Sequence, residues 1–414
     1  MIAPAFARLR LAALGPAMFA AFVVRVAAGL LLNVQDGAQR GFPFYGAMAD
    51  NVLSGHGLAW NFYSDLGEKW ANRGPLYPLL VAAVRAVAGR ASAVPVIVVQ
   101  AAIGAAACAV TAALARRWGG ARAALAAVWI AALWPYSIVP DTALIEHVLF
   151  APLVVLSVLL TLDAASGGSA RRGLLAGATA GLATLARLTF GPAIALLAAC
   201  ALPRGGLRVA ATIALGAAAA LAPWVLRNHS VTGAWTVGTD SGRALWVGNM
   251  PATFRHYPAE SIDVGERDLL DRLTSAEWAE LRAQNRDEVA QDRLFRARAV
   301  ASISGRPLEA AWCGLRKAAA LWSPVMNPGP VSPEKAVVFF VSMALLVAGA
   351  LAAAARVPAL RADLPVCIGV AVTFTAMAFV FWGESRYAAP LHGIGIAGAA
   401  AWLGTRGGPR PAAT

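Results

Sequence analysis

Residues 122–162 read RAALAAVWIAALWPYSIVPDTALIEHVLFAPLVVLSVLLTL. Two apolar runs, 122–139 and 143–162, are joined by a tight polar turn that carries Asp141 and Glu146. A bilayer core about 30 Å thick needs about 20 apolar residues as a helix, because no backbone polar group can go unpaired there. Both runs are close to that length, so the stretch reads as two membrane spans. Working outward, the same pattern recurs at 11–32, 93–115, 172–187, 188–203, 207–226, 335–355, 364–382 and 388–404. The expected fold is therefore all-α and polytopic, with about ten transmembrane helices. Composition agrees: the 414 residues are 59% hydrophobic and 14% charged, against about 25% charged in soluble domains. Cys108, Cys200, Cys313 and Cys367 are dispersed, which offers neither a disulfide framework nor a zinc spacing.

Segment 76–90 (LYPLLVAAVRAVAGR) is apolar but short and carries Arg85 and Arg90. If it does not span, Arg8/Arg10, Arg116/Arg117/Arg122, Arg171/Arg172, Arg204/Arg208, Arg356/Arg361 and Arg406/Arg410 all fall on one face, as the positive-inside rule requires. It is therefore expected to lie in the outer interface, with both termini cytoplasmic. The first span follows Arg8 and Arg10 without a convincing cleavage site and reads as an uncleaved anchor. The net charge of +13 sits largely in these short loops, so it implies no nucleic-acid partner. Three regions follow: 1–226, a transmembrane catalytic module with a first outer loop at 33–92; 227–334, an outer segment with interfacial helices; and 335–414, the C-terminal spans. In the outer segment Thr274 and Glu277 form a capping-box spacing ahead of a charged amphipathic run to about Ser302. Gly305 and Pro307 end it, and 307–322 reads as a second interfacial helix.

No Walker loop, GxSxG, HExxH, CxxC or placed GxGxxG occurs. What remains is a set of acids and arginines at the outer boundary, where ionisable groups are costly and so point to function. Asp36, just after the first span, and Asp50, late in a short helix, are the candidates for a general base; an ordinary solvated acid is the competing reading of each. Asp141 is a candidate helix cap near Thr142 or a substrate contact, and Glu146, set deeper beside His147, requires a cation or its own proton. Arg187, Arg227 and Arg386 each stand at the outer end of a span. The arginine fork suits phosphate, with headgroup snorkelling as the alternative. Arg73 and Lys69 in the first loop are further cations for that role. Tyr77 and Tyr387 read as interfacial anchors first and as substrate-contacting rings second. Arg25, in the middle of the first span, has no partner identifiable from sequence.

Taken in order, FYGAMADNVLSGHGL, RGPLYPLL, WPYSIVPDTALIEHVLF, GLLAGATAGLATLARLTF, APWVLRNHSVTGAWTVGTDSGRALWVGNMP and ESRYAAPL resemble the membrane-embedded GT-C glycosyltransferases. The resemblance is to their bacterial branch, related to protein O-mannosyltransferases and lipid A aminoarabinose transferases. It implies sugar transfer from a polyprenyl-phosphate donor to a glycan, lipid or protein acceptor on the extracytoplasmic face of a bacterial inner membrane. It implies an acid of the first outer loop as base, which is Asp36, or Asp50 because Asp36 precedes Tyr45 by more residues than is usual in relatives. By the same resemblance Glu146 is the second outer acid, and Arg187, Arg227 and Arg386 are ligands of the carrier phosphate. It leaves room for a divalent ion, although no dense ligand cluster marks one. The competing classes are a transporter or flippase, for which the chain lacks recognisable halves, and an O-antigen ligase or polymerase.

Overall fold

The computed structural model describes residues 11–35, 38–61, 66–257, 259–329 and 331–406, with the side chains of Leu11 and Ala12 excepted. Sixteen α-helices dominate the described residues. The first span is α1 (Leu11–Leu32), and the first outer loop contains α2 (Pro43–Leu53) and α3 (Leu76–Ala88). The helices α4 (Val94–Ala132), α6 (His147–Gly167), α7 (Ala170–Ala186) and α8 (Gly191–Thr232) follow, with the short α5 (Pro135–Thr142) between α4 and α6. The outer segment folds as α9 (Ser241–Asn249), α10 (Ile262–Asp271), α11 (Ser275–Ala283), α12 (Glu288–Gly305) and α13 (Pro307–Leu321). The chain then continues as the apolar helices α14 (Pro333–Arg356), α15 (Pro358–Val380) and α16 (Ala389–Arg406). Two two-residue hairpins, Val34–Gln35 with Ala38–Gln39 and Trp60–Asn61 with Glu68–Lys69, tie the first outer loop.

Six helices among the described residues are long and apolar enough to cross a membrane. At 39 residues α4 would be a rod of about 58 Å, nearly twice the hydrocarbon core. It bends instead at Gly120, and α8 bends likewise at Gly206, with φ of +73° and +68°, a left-handed conformation that glycine adopts without penalty. Each bend divides one long helix in two, so the six give eight apolar segments, and α7 and α16 are the other two of the ten read from the sequence. The shorter α7 packs along α8 so closely that a Cβ on Gly177 would lie 1.8 Å from the Ile213 carbonyl oxygen. The glycine and alanine content of these helices is thus used for backbone contact. At 13 residues α3 extends about 20 Å, too short to span, as the arginine distribution requires.

Two expected boundaries move. The run 122–139 is not one helix: α4 stops at Ala132, and Pro135, which has no N–H to give, opens α5 at its first turn. The run 143–162 starts later, because residues 143–146 are non-helical and pair with the first outer loop. Leu144 N–H donates to the Arg40 carbonyl at 2.7 Å, and Phe42 N–H donates to that of Leu144 at 3.0 Å. Asp141 therefore caps nothing at Thr142; α6 begins at His147. Asp141 is instead buried against Arg25, whose Nε donates to it at 2.8 Å across 116 positions of sequence. Arg25 thereby has the partner that charge burial demands.

The outer segment carries its own core around Trp246, Tyr257 and Phe295, to which Leu66 of the first loop contributes. The capping box at Thr274 and Glu277 forms as expected, but the charged run beyond it divides into α11 and α12. From α12, Glu288 accepts the backbone N–H groups of Trp70 and Ala71 at 2.9 and 3.0 Å, and Asp292 accepts that of Gly242 at 2.6 Å. One helix thus fixes the first loop and the start of α9 together. All four cysteines are free thiols.

Candidate active site

The breaks between spans place four groups together. Glu146 ends the non-helical stretch before α6, and Arg187 ends α7, where the chain leaves helical geometry before the turn Leu188–Phe190. Arg386 and Tyr387 lie in the short turn ahead of α16. Glu146 is 4% exposed, and a carboxylate so placed needs donors. It has them: Arg187 Nη1 lies 2.5 Å from one oxygen, and the Tyr45 hydroxyl donates to the other at 2.9 Å. The Arg187 guanidinium stacks on the Tyr387 ring at 3.7 Å, with Arg386 5.2 Å from the same ring. Arg386 is paired with Glu384 at 2.5 Å, yet its buried Nε has no hydrogen-bond acceptor. Beside them the His147 ring lies stacked on Tyr387 at 5.7 Å, both nitrogens buried and not hydrogen-bonded, with Nδ1 3.8 Å from a Glu146 oxygen.

A second group stands on the outer segment. Asp240 immediately precedes α9 and bridges Arg73 of the first loop and Arg243, whose Nε donates at 2.7 Å. Arg243 in turn reaches Glu266 of α10 at 2.5 Å. Burial alone would raise the pKa of Asp240, but Arg243 and Arg73 outweigh it and hold the carboxyl below the usual range. Burial wins at Glu266, which is pushed up despite Arg243.

Both groups line one cavity of about 940 Å³. Glu146, Arg187, Arg386 and Tyr387 form one part of its wall, and Arg73, Asp240, Arg243 and Glu266 another. Between them run aromatic and apolar surfaces: Phe44 and Trp60 from the first loop, and Phe374, Met377, Phe381 and Trp382 from α15 and its end. A cavity with arginines on one wall and a membrane helix on another can hold a molecule that is anionic at one end and hydrocarbon at the other. Among the described residues no group of three or more His, Cys, Asp or Glu converges.

Of the residues singled out in the sequence, Glu146, Arg73, Arg187, Arg386 and Tyr387 line this cavity. Asp36 lies outside the described residues. Asp50 is not in the wall; it pairs with Arg85 at 2.9 Å and Arg90 at 3.5 Å. Asp141 is held by Arg25. Arg227 donates to the carbonyls of Trp70 and Leu58 and lies over the Trp224 ring, which fixes the base of the first loop. Tyr77 is fully buried, edge-on to Tyr45 at 4.8 Å, where it supports the ring that binds Glu146. Tyr45, Asp240, Arg243 and Glu266 were not singled out. The spacing of Asp240 and Arg243, one turn apart in TDSGR, was the signal available for two of them.

Residues 72–226 match the family model described as dolichyl-phosphate-mannose-protein mannosyltransferase. No curated protein matches the sequence. Among solved structures, the fold is similar to that of the oligosaccharyltransferase of Archaeoglobus fulgidus. The apo crystal structure of that protein aligns with a TM-score of 0.59 at 16% identity, covering 95% of this chain and 50% of that one. Its structure tethered to an acceptor peptide containing the NVT sequon gives 0.58 at 16%, with coverages of 95% and 49%. The structure of the archaeal enzyme AglB from the same organism, in complex with an inhibitory peptide and a dolichol-phosphate, gives 0.54 at 15%, with coverages of 95% and 50%. The chain thus spans about half the length of these structures, and at such identity the likeness is one of fold. The family-model match itself covers residues 72–226, less than half of the chain.

Proposed function

We propose, from the GT-C fold and the mannosyltransferase-type match, that this chain transfers a sugar from a polyprenyl-phosphate donor to an acceptor hydroxyl or amine at the outer face of the membrane. The observation that carries the reading is the composition of the cavity wall. Arg187 and Arg386 flank Tyr387 at one part, and the apolar face of α15 forms another. The first suits a phosphate and the second suits prenyl carbon.

The chemistry is displacement at the anomeric carbon. The acceptor oxygen or nitrogen forms the new glycosidic bond as the bond from that carbon to the carrier phosphate oxygen breaks, and the bonding pair leaves with polyprenyl phosphate. The acceptor proton passes to a carboxylate base. Asp36 is the first-loop acid assigned that role and Asp50 the reserve. Glu146 already accepts from Tyr45 and Arg187, so its role is to hold Arg187 in place and keep its fork aimed at the leaving group. Donors fixed where negative charge develops are the efficient form of transition-state stabilisation. The acceptor enters past Arg73, Asp240, Arg243 and Glu266, whose alternating charges and neighbouring aromatic rings suit a polar, hydroxylated molecule.

The test is reconstitution of the purified chain in liposomes with a panel of polyprenyl-phosphate sugars and a cell-envelope acceptor extract, following release of polyprenyl phosphate. Release from at least one donor is expected. Movement of an intact donor across the bilayer without release would replace the reading with transport. For orientation, Ala259→Cys is expected to react from outside with an impermeant thiol reagent, and Arg171→Cys only after permeabilisation; the opposite pattern would overturn the outer-face assignment.

A further inference from the structure

Helix α13 presents two different faces. Leu308, Trp312 and Leu315, spaced by four and three, form one helical stripe and are all exposed, Leu308 at 86% and Trp312 at 62%. Trp322 extends this face beyond the helix end. Four large apolar side chains on one short helix are an unusual surface to leave in water. On the opposite side Cys313, Lys317, Ala320 and Leu321 are buried.

What covers the exposed stripe follows from where its end lies. The Trp322 indole N–H donates to the Thr375 hydroxyl of α15 at 3.1 Å. Thr375 belongs to the helical row Ile368, Val372, Thr375, Phe379, and the three apolar members of that row are exposed on a membrane-spanning helix. The backbone of α13 at Gly314 lies against the Phe379 ring, where a Cβ would come within 2.5 Å. The stripe of α13 is therefore continuous with the exposed apolar row of a helix long and apolar enough to cross a membrane.

The buried face makes a second connection. Lys317 is 0% exposed, and its ammonium donates to the Gly248 carbonyl at 2.9 Å, the Asn249 side chain at 2.9 Å and the Val380 carbonyl at 3.1 Å. Three elements meet at one nitrogen: α13, the end of α9 and the end of α15. The segment held at Val380 continues at once into Phe381 and Trp382, which line the cavity, as does Leu321 at the end of α13.

We propose that α13 is seated in the adjoining bilayer leaflet through Leu308, Trp312, Leu315 and Trp322, and that Lys317 on its opposite face ties this seat to the cavity wall at Leu321, Phe381 and Trp382. An amphipathic helix of this kind buries its apolar face at the boundary of headgroups and acyl chains. The leaflet then bears on the shape of the cavity without touching its polar residues. This inference goes beyond the proposed transfer reaction and does not depend on it.

The test places single nitroxide labels at Leu308, Glu309, Trp312 and Leu315 of the full chain in phosphatidylcholine/phosphatidylglycerol nanodiscs. Collisions with dissolved oxygen are compared with those of a water-soluble nickel chelate. Labels at 308, 312 and 315 are expected to favour oxygen and the label at 309 to favour the chelate. Preference for the chelate at all four would place the stripe in water, and shielding of 308, 312 and 315 from both reagents would mean that a protein covers it; either overturns the seat. The coupling is read by hydrogen exchange at Phe381–Gly383. Lys317→Met and the double variant Trp312→Glu/Leu315→Glu are each expected to speed it by about fivefold or more, as loss of local contacts lowers the opening free energy. In Lys317→Met the collision pattern stays as in the parent chain, which separates release of the wall from misfolding of α13. Unchanged exchange at the wall in both variants would overturn the coupling.

Discussion

Two clusters of arginine and carboxylate stand at opposite ends of α6, and they use the same chemistry differently. At one end Asp363 accepts from Arg117 Nε at 2.7 Å, from Arg204 Nη1 at 2.8 Å and from the Trp118 indole at 3.0 Å, while Arg117 also holds Asp163 at 2.7 Å. At the other end, about 26 Å away along the helix from Asp163 to Glu146, Arg187, Arg386, Glu146 and Glu384 surround Tyr387. The carboxylate of Asp363 is closed in by three donors, and neither it nor its partners line the cavity. The second cluster opens onto about 940 Å³ and keeps buried nitrogens that make no hydrogen bond, Arg386 Nε and the two of His147. Buried polar atoms left unpaired are expensive. Their place beside a cavity is the physical ground for reading the outer cluster as a binding site and the inner one as a fastening of α4, α6, α8 and α15.

That contrast can be broken by substitution. The largest effect is expected at the proposed base: Asp36→Asn keeps the shape and removes the proton acceptor, so transfer in the reconstituted assay falls by about 100-fold to 10,000-fold while the protein still inserts. Near-normal transfer in Asp36→Asn with loss in Asp50→Asn would move the role to Asp50. At the inner cluster, Asp363→Asn leaves Arg117 and Arg204 facing a neutral group. The expected cost is about 3 kcal/mol of stability, the lower end for breaking a buried pair, since Arg204 is partly exposed. Its turnover per folded molecule should be unchanged, and a loss of turnover without loss of stability would contradict the fastening role.

A smaller effect comes from the ion chain on the outer segment. Asp240 has its folded pKa held below the ordinary value of 3.8, so the unfolded chain binds the proton first on acidification. The stability that Asp240 contributes is full at neutral pH and is lost as the pH falls below about 4 through the lower folded value. Asp240→Asn should remove that acid limb and cost about 2 kcal/mol at pH 7, as expected for hydrogen bonds to charged partners. Hydrogen exchange in α9 and α10 measured against pH reads it, and an unchanged acid limb in the variant would assign the dependence to other carboxylates.

The long apolar helices were legible because apolar length is a local property: α1 and α14 fall within about two residues of their expected ends. The turn at Pro135 was missed because the apolar run continues through it while the backbone does not. Of the site, the residues at span ends could be found, since an ionisable group at a membrane boundary is conspicuous in one dimension. The partner of Arg25 could not, because Asp141 is brought to it only by the packing of α5 on α1. Asp240, Arg243 and Glu266 sit in a segment rich in charge, where three more charges carry no signal until the fold closes them around Arg73.

The proposed site assigns the carrier phosphate to the arginines around Tyr387 and to no others. It is tested most directly by binding of farnesyl phosphate, a short soluble analogue of the carrier, to the purified chain and to Arg187→Lys and Arg204→Lys. Lysine retains the charge but loses the fork. Affinity is expected to be at least about tenfold weaker in Arg187→Lys, equal to about 1.4 kcal/mol, and unchanged in Arg204→Lys. Equal affinity in all three, or a loss confined to Arg204→Lys, would contradict it.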